Sequence, residues 1–196
     1  QLPSRSALAS GFVLPADCVA ANLAHYPQVP APAPRDGQSR IFQGAMRHAP
    51  TWDDLRWLLT QARLPVWVKG VLHADDARQL QDAGVAGIVV SNHGGRGLDG
   101  SPASLAMLPT VRAAVRPDYP VLMDGGIRSG LDAFKALALG ANAVLIGRLQ
   151  LYALAVAGAL GVAHLLQLLT EELHATMAQA GCATLSDITP EVLTPC

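Results

Sequence analysis

The stretch that most directly suggests chemistry begins at His93, which is followed by two glycines and then by Arg96. Glycine has no side chain to obstruct a ligand, so a flat molecule can approach closely beside this histidine. The planar guanidinium of Arg96 can bind a carboxylate through two parallel hydrogen bonds. A lone histidine near glycine is more often a structural hydrogen-bonding residue, so the catalytic interpretation needs support from the rest of the chain.

Two further turns combine glycine with arginine. Residues 124–130 read Asp-Gly-Gly-Ile-Arg-Ser-Gly, and Gly147 is followed by Arg148. Glycine-rich turns that open onto helix N-termini bind phosphate, and such turns follow the last two strands of many (β/α)8 barrels. Each turn alone is also consistent with a tight turn beside a solvent-exposed arginine. Their succession along the chain favours a phosphate site.

Short apolar runs that become polar or glycine-rich at their ends predict the strands that position these residues. The predicted strands are residues 66–69, 87–92, 121–124 and 143–146. Amphipathic segments predict helices over residues 52–60, 74–83, 103–115, 131–139 and 162–179. This alternation indicates an α/β fold with a parallel sheet, in which the loops after the strands meet at one edge. Lys69 ends the first strand at that edge, where its charge suits an anionic ring system, although lysine is by default a surface residue.

The first fifty residues differ from the rest of the chain. Prolines at 27, 30, 32 and 34 exclude regular helix or central strand over residues 26–38 and predict a long loop, either a mobile cover or a linker. We therefore predict a loop or lid region over residues 1–50. Residues 51–196 are predicted to form the βα-rich domain.

Composition narrows the class of protein. Of the 196 residues 51% are hydrophobic, and the net charge of −1 gives no reason to expect a nucleic-acid partner. The three cysteines are widely spaced, without the pairing typical of a zinc or redox site, so we expect no metal. They favour a reducing compartment, and we expect a cytoplasmic protein. Residues 1–14 show no apolar core behind a basic start, so no signal peptide is predicted.

One apolar stretch, residues 149–170, contains no Asp, Glu, Lys or Arg and is long enough to span a bilayer. Gly158, Gly161, His164 and Gln167 interrupt it, and no basic cluster flanks it. The pattern favours a pair of buried helices closing a soluble fold, and no membrane association is expected.

The motifs taken together resemble one family. They are VKG at 68–70, VSNHGGRGLDG at 90–100, DGGIRSGLDAFKALALGA at 124–141 and LIGR at 145–148. In order and spacing they resemble the FMN-dependent α-hydroxy-acid oxidases and dehydrogenases, which include glycolate and lactate oxidases and mandelate dehydrogenase. RSALASGFVLP at 5–15 resembles, more weakly, the family segment after the fourth barrel strand, which implies that the region 1–50 follows that strand. The resemblance implies the C-terminal half of a TIM (β/α)8 barrel, strands 5 to 8, with a long terminal helix.

The resemblance also implies roles for individual residues in the FMN-dependent oxidation of an L-2-hydroxy acid to the 2-oxo acid. His93 would act as the base and Arg96 would bind the substrate carboxylate, with Arg5 a candidate second substrate arginine. Lys69 and Ser91 would lie near the flavin ring and Asp124 near the ribityl chain. The phosphate would be held by Gly126, Arg128, Gly147 and Arg148.

The implied barrel lacks its first four strands. In the family that half supplies two tyrosines facing the substrate and the aspartate that orients the catalytic histidine. We therefore expect the chain alone to be inactive. We expect it to associate with an N-terminal half-barrel or with a second copy of itself, and we predict a homo-oligomer. Two alternatives stay open at this point. One is a flavin-dependent isomerase of the type 2 isopentenyl diphosphate isomerase kind, which shares the DGGIR turn but would not carry SNHGGR. The other is a non-catalytic half-barrel module.

Overall fold

A computed structural model of the chain describes residues 15–19, 21–26 and 35–193. The chain divides into two compact units, Gln1–Thr60 and Gln61–Cys196. Arg5 and most of the proline-rich segment lie outside the described residues, so the predictions made for them stay predictions.

The described part of the first unit contains short helical turns and all but the last residue of one regular helix, α1 (Trp52–Gln61), which confirms the helix predicted over 52–60. Its first turn is capped reciprocally: Asp54 Oδ2 accepts from the Thr51 N–H at 2.7 Å, and the Asp54 N–H donates to Thr51 Oγ1 at 3.3 Å. Hydrogen bonds from the Thr51 hydroxyl and then its backbone N–H lower the pKa of Asp54. Before α1, a π-helical turn, Arg40–Ala45, lies within the predicted loop region.

A parallel sheet with the strand order β1-β2-β3-β4 forms the centre of the second unit. The strands are β1 (Trp67–Val71), β2 (Gly87–Val90), β3 (Val121–Asp124) and β4 (Ala143–Leu145). All neighbouring pairs are parallel, which confirms the predicted sequential arrangement. Two strand ends differ from the prediction by two residues: β2 ends at Val90 instead of residue 92, and β1 continues to Val71 through an irregularity in register between Lys69 and Val71.

Helices follow each strand, as a right-handed crossover requires. They are α2 (Ala74–Asp82), α3 (Ser104–Ala114), α4 (Gly130–Ala138) and α5 (Arg148–Ala180). Crossovers of one hand between sequentially ordered strands place α2, α3 and α4 on one face of the sheet, where the core forms. The strand residues that are almost completely buried on that face are Ile88, Val90, Val121 and Met123. The apolar residues of α2 and α3 that are buried to the same degree are Ala77, Leu80, Leu108 and Val111.

The opposite face of the sheet is much less covered. The register places Lys69, Val89, Leu122 and Ala143 in one row, with the Trp67 and Leu145 side chains on the same face. Trp67 is 42% exposed and Leu145 is 38% exposed. An apolar sheet face left open to this degree is suited to contact with further protein.

Helix α5 differs from the prediction in both length and burial. It begins at Arg148 rather than near residue 162, because the interruption is confined to Ala157 and Gly158 and the Leu- and Ala-rich residues before it are good helix formers. The prediction that this apolar stretch is buried is wrong: none of its most apolar window is buried within the described residues. The C-terminal part of α5 is the part that contributes to a buried cluster, in which Met177 packs with Phe134 and Ile188. By length and composition alone, α5 is able to cross a bilayer.

Helices α4 and α5 meet at Gly130, and we expect Gly130→Ala to destabilise the unit. A Cβ at this position would clash with the backbone nitrogen of Leu173, so the helices would have to separate. In an isolated helix alanine would be stabilising by about 1 kcal/mol. Here overpacking is expected to cost about 1–3 kcal/mol net. The measurement is urea-induced unfolding of the chain, and an unchanged or increased midpoint would contradict the prediction.

Candidate active site

Three polar side chains from consecutive strands meet at the C-terminal edge of the sheet. The Lys69 ammonium lies 2.8 Å from Ser91 Oγ and 2.7 Å from Asp124 Oδ2. Ser91 is fully buried, and the Asp124 side chain is 19% exposed. The sequence placed all three at this edge, and the structure brings them into direct contact. The Lys69 side chain is 41% exposed, so its charge stays accessible to an anionic ligand.

The second oxygen of Asp124 indicates what this cluster could bind. Asp124 Oδ1 is buried and has no hydrogen-bond partner in the described residues. An unsatisfied buried acceptor costs about 1–3 kcal/mol, so a ligand that donates a hydrogen bond here would be stabilised. A hydroxyl of a polyol chain is such a donor, and its oxygen can also accept from a neighbouring ammonium.

His93 lies on a short 3-10 turn, His93–Gly95, directly after β2. It is the one non-glycine residue of the described chain with a positive φ, at +57°. Its N–H donates to Ser91 Oγ at 3.0 Å, so the buried serine connects the histidine loop to Lys69. A backbone in this region costs free energy and persists only where neighbouring contacts hold it, which is common at functional sites.

Asn92 and Ser104 hold this loop from the other side. Asn92 Oδ1 accepts from the Gly94 N–H at 3.0 Å, and the Asn92 N–H donates to Ser104 Oγ at 3.0 Å. A Cβ at Gly125 would lie 3.0 Å from both Asn92 Oδ1 and Ser104 Oγ, so the glycine leaves room for the pair. Neither residue is among the site residues predicted from the sequence. Asn92 lay inside a motif, whereas nothing in the pattern distinguished Ser104 from an ordinary residue of a helix N-terminus.

The two proposed substrate residues are on the same loop and both are exposed. Arg96 directly follows the 3-10 turn that contains His93. Within the described part of the chain, neither side chain makes a hydrogen bond or an ion pair. An arginine fork and an imidazole that are free of protein partners remain available to a substrate carboxylate and hydroxyl.

The two glycine-arginine turns differ in how many N–H groups they leave free. At α4, Asp132 Oδ2 accepts from the Arg128 and Ser129 N–H groups at 3.0 Å each, and Glu172 Oε2 accepts from the Gly130 N–H at 2.7 Å. The N–H groups at and just before the start of α4 are thus occupied by the protein's own carboxylates.

At α5 the N-cap is Gly147, and no side chain caps this helix. Because its first N–H groups have no side-chain cap, the start of α5 is better suited to phosphate than the start of α4. The Arg128 side chain is exposed beside the α4 turn. Arg148 donates to the Gly94 carbonyl at 2.7 Å and so connects the α5 turn to the histidine loop. Positions Gly126 and Gly147 both have open space where a Cβ would project, which leaves room for a ligand.

One edge of the parallel sheet gathers a lysine, an unsatisfied aspartate oxygen, a histidine loop and an uncapped helix start, which are groups suited to a phosphorylated, polyhydroxylated ligand. The chain belongs to the FMN-dependent dehydrogenase family, whose sequence profile matches residues 4–195. The site has the donor and acceptor types that FMN requires: an acceptor for ribityl hydroxyls, and cations with free N–H groups for phosphate.

Individual relatives agree with this assignment. The chain is 75% identical over 196 residues to an L-lactate oxidase of Alicycliphilus denitrificans. The match covers all of this chain and 53% of that relative. It is 48% identical over 153 residues to a glycolate oxidase of Oryza sativa subsp. japonica, covering 78% of this chain and 42% of the relative. A crystal structure of mandelate oxidase with (S)-2-phenylpropionate superposes with a TM-score of 0.69 at 50% identity, covering 71% of this chain and 42% of the other. The chain spans about half the length of the curated relatives it matches.

Proposed function

We propose that this chain is the C-terminal half of a (β/α)8 barrel that binds FMN and oxidises a small L-2-hydroxy acid to the 2-oxo acid. The observation that carries the proposal is the Lys69–Ser91–Asp124 cluster, with the unsatisfied Asp124 Oδ1, directly beside the His93 loop. The remaining strands would come from an N-terminal half-barrel. The relatives' oxidase names support this activity over the isomerase alternative.

The cofactor would be held along the edge of the sheet. Asp124 would accept from ribityl hydroxyls, and Lys69 would place a positive charge beside the ring. Gly126, Arg128, Gly147 and Arg148 would surround the phosphate, with the uncapped start of α5 supplying N–H donors. When bound, FMN supplies the acceptor for the two electrons and the α-hydrogen that the hydroxy acid loses.

The chain's own residues would bind and deprotonate the substrate. Arg96 would fix the carboxylate, and His93 would take the hydroxyl proton as the carbonyl of the 2-oxo acid forms. Because the imidazole has no partner in the described residues, the group that stabilises it once protonated would come from the N-terminal half. Arg5 stays a candidate second ligand of the carboxylate.

The proposal is tested by reconstitution. The chain is co-expressed with the portion of the Alicycliphilus denitrificans L-lactate oxidase that it does not match, because 75% identity over the matched part favours a compatible interface. The expected result is a yellow complex whose visible absorbance bleaches anaerobically with lactate, glycolate or mandelate. A colourless complex, or a yellow one that none of these acids bleaches, would favour a non-catalytic module.

Replacing Arg148 by alanine in this complex is expected to weaken FMN binding about 10- to 100-fold, which corresponds to the loss of one or two hydrogen bonds to a charged group. Turnover per bound flavin should change much less, because the phosphate is remote from the reacting atoms. Fluorescence titration gives the affinity, and Arg78→Ala, an exposed arginine paired with Asp75 on α2, is the charge-matched control. Equal losses in affinity and turnover would instead show that Arg148 acts through Gly94.

Replacing Arg96 by lysine should chiefly raise KM, by about 10-fold, because a point charge replaces a bidentate fork. Steady-state kinetics with lactate would measure KM and kcat separately. Arg56→Lys on α1, where the arginine is exposed and pairs with Asp53, should leave both constants unchanged. A variant with normal KM and reduced kcat would place Arg96 with the reacting hydroxyl instead of the carboxylate.

A further inference from the structure

We propose that Gly70 is a positioning residue for His93: the missing side chain at Gly70 provides the space in which the imidazole rests. The inference rests on the proposed function in so far as His93 is the base of the reaction. The sequence indicated Gly70 only as the last letter of the VKG string and gave it no role of its own.

The contact is close and directed. A Cβ at Gly70 would lie 2.6 Å from His93 Cε1, 3.4 Å from Nε2 and 3.5 Å from Nδ1. The Cε1 edge of the ring therefore faces Gly70, with the two nitrogens placed almost symmetrically on either side. An ordinary contact begins at 3.4 Å, so a methyl group would displace the ring by about 0.8 Å or force the strand to move. Only glycine leaves both nitrogens where they are.

The backbone at Gly70 explains why this space exists. Its φ is +103°, and it occupies the register irregularity of β1 between Lys69 and Val71. A bulge of this kind redirects the neighbouring side chains. Lys69, directly before the irregularity, reaches Ser91 and Asp124, and Gly70, within it, has no side chain on the side that faces His93. One irregularity in the strand serves both the cofactor side and the substrate side of the site.

The strained backbone of His93 makes this contact important. With φ at +57°, the residue is held by its N–H bond to Ser91 Oγ and by the packing of its ring on Gly70. Ser91 fixes the main chain, whereas Gly70 is the contact that limits the position of the ring. Loss of the second contact would leave the loop in place and the imidazole displaced.

The test compares two alanine variants of the full chain. Gly70→Ala and Gly84→Ala both place a methyl group on a backbone with positive φ, +103° and +89°, but a Cβ at Gly84 meets nothing within 4 Å. The chain has six histidines, labelled with ¹³C at Cε1, and the His93 signal is assigned by its loss in His93→Ala. Gly70→Ala is expected to shift the His93 Cε1–Hε1 resonance and change its rate of carbethoxylation, whereas Gly84→Ala leaves both unchanged. No change in Gly70→Ala, or equal changes in the two variants, would overturn the proposal.

A double-mutant cycle covers the case in which Gly70→Ala does not fold. If the imidazole is the obstacle, removing it in Gly70→Ala/His93→Ala should restore folding and bring the loss in urea midpoint to that of Gly84→Ala. A double variant as unstable as Gly70→Ala alone would overturn the proposal, because the obstacle would then be the strand itself.

Neither measurement depends on flavin or turnover, so failure of the proposed oxidation would leave this result intact. In the reconstituted complex, a displacement near 1 Å predicts turnover lower by about 100-fold in Gly70→Ala.

Discussion

In the reconstituted complex, His93→Ala is expected to leave FMN bound and to slow its reduction by hydroxy acids by about 100- to 10,000-fold, the usual contribution of a positioned general base. The reason lies in the separation of roles along the sheet edge. The proposed cofactor contacts come from Lys69, Ser91, Asp124 and the α5 turn, whereas the imidazole lies against Gly70 and makes no hydrogen bond within the described residues. Stopped-flow absorbance under anaerobic conditions measures the reduction rate directly.

The matched control for this variant is His174→Ala. His174 is exposed on α5 and lies outside the site, so its removal should change neither flavin content nor reduction rate. Near-normal reduction in His93→Ala would refute the assignment of the base. A loss of bound flavin in proportion to the loss of rate would instead show that the histidine supports the cofactor and not the substrate.

The position of a residue along a strand could be predicted from the sequence. Contacts between residues of different strands could not. Strand β3 matched its prediction residue by residue, because it is a short β-branched and apolar run ending at Asp-Gly-Gly. Placement of Lys69 and Asp124 at one edge followed from parallel topology alone. Their 2.7 Å ion pair did not, because β1 and β3 are not neighbours in the sheet and are separated by β2.

Sequence pattern failed for α5 for a related reason. Gly158 and Gly161 suggested a boundary between helices, since glycine is unfavourable in a helix interior. Instead, α5 has one local kink at Gly158, with φ +58° and ψ −143°, and the helix continues on both sides of it. The predicted burial assumed that a charge-free stretch is covered by its own chain. Val156 and Leu160 are instead 86% and 81% exposed, so any cover for this surface must come from outside the described residues.

These exposed surfaces lead to the last prediction, that the 196 residues alone associate and do not oxidise hydroxy acids. Strands β1 and β4 are the two ends of the described sheet, and each presents unpaired backbone groups at its outer edge. Closing a (β/α)8 barrel pairs those edges and fills the interior, which here would cover Trp67 and Leu145. A second copy would satisfy the edges equally well, so sedimentation should show an oligomer rather than a monomer.

Association with itself would still not complete the chemistry. His93 has no carboxylate partner in the described residues, and a second copy brings another His93 with the same deficiency. In an analogous catalytic triad, changing the orienting aspartate to asparagine costs about 10,000-fold in kcat. The purified chain should therefore show no anaerobic bleaching of bound FMN by lactate, glycolate or mandelate on the timescale in which the reconstituted complex bleaches fully. Intact mass must confirm that no N-terminal half is present. Rapid bleaching by the chain alone would show that this half contains a complete active site, and that the base has a partner we have not identified.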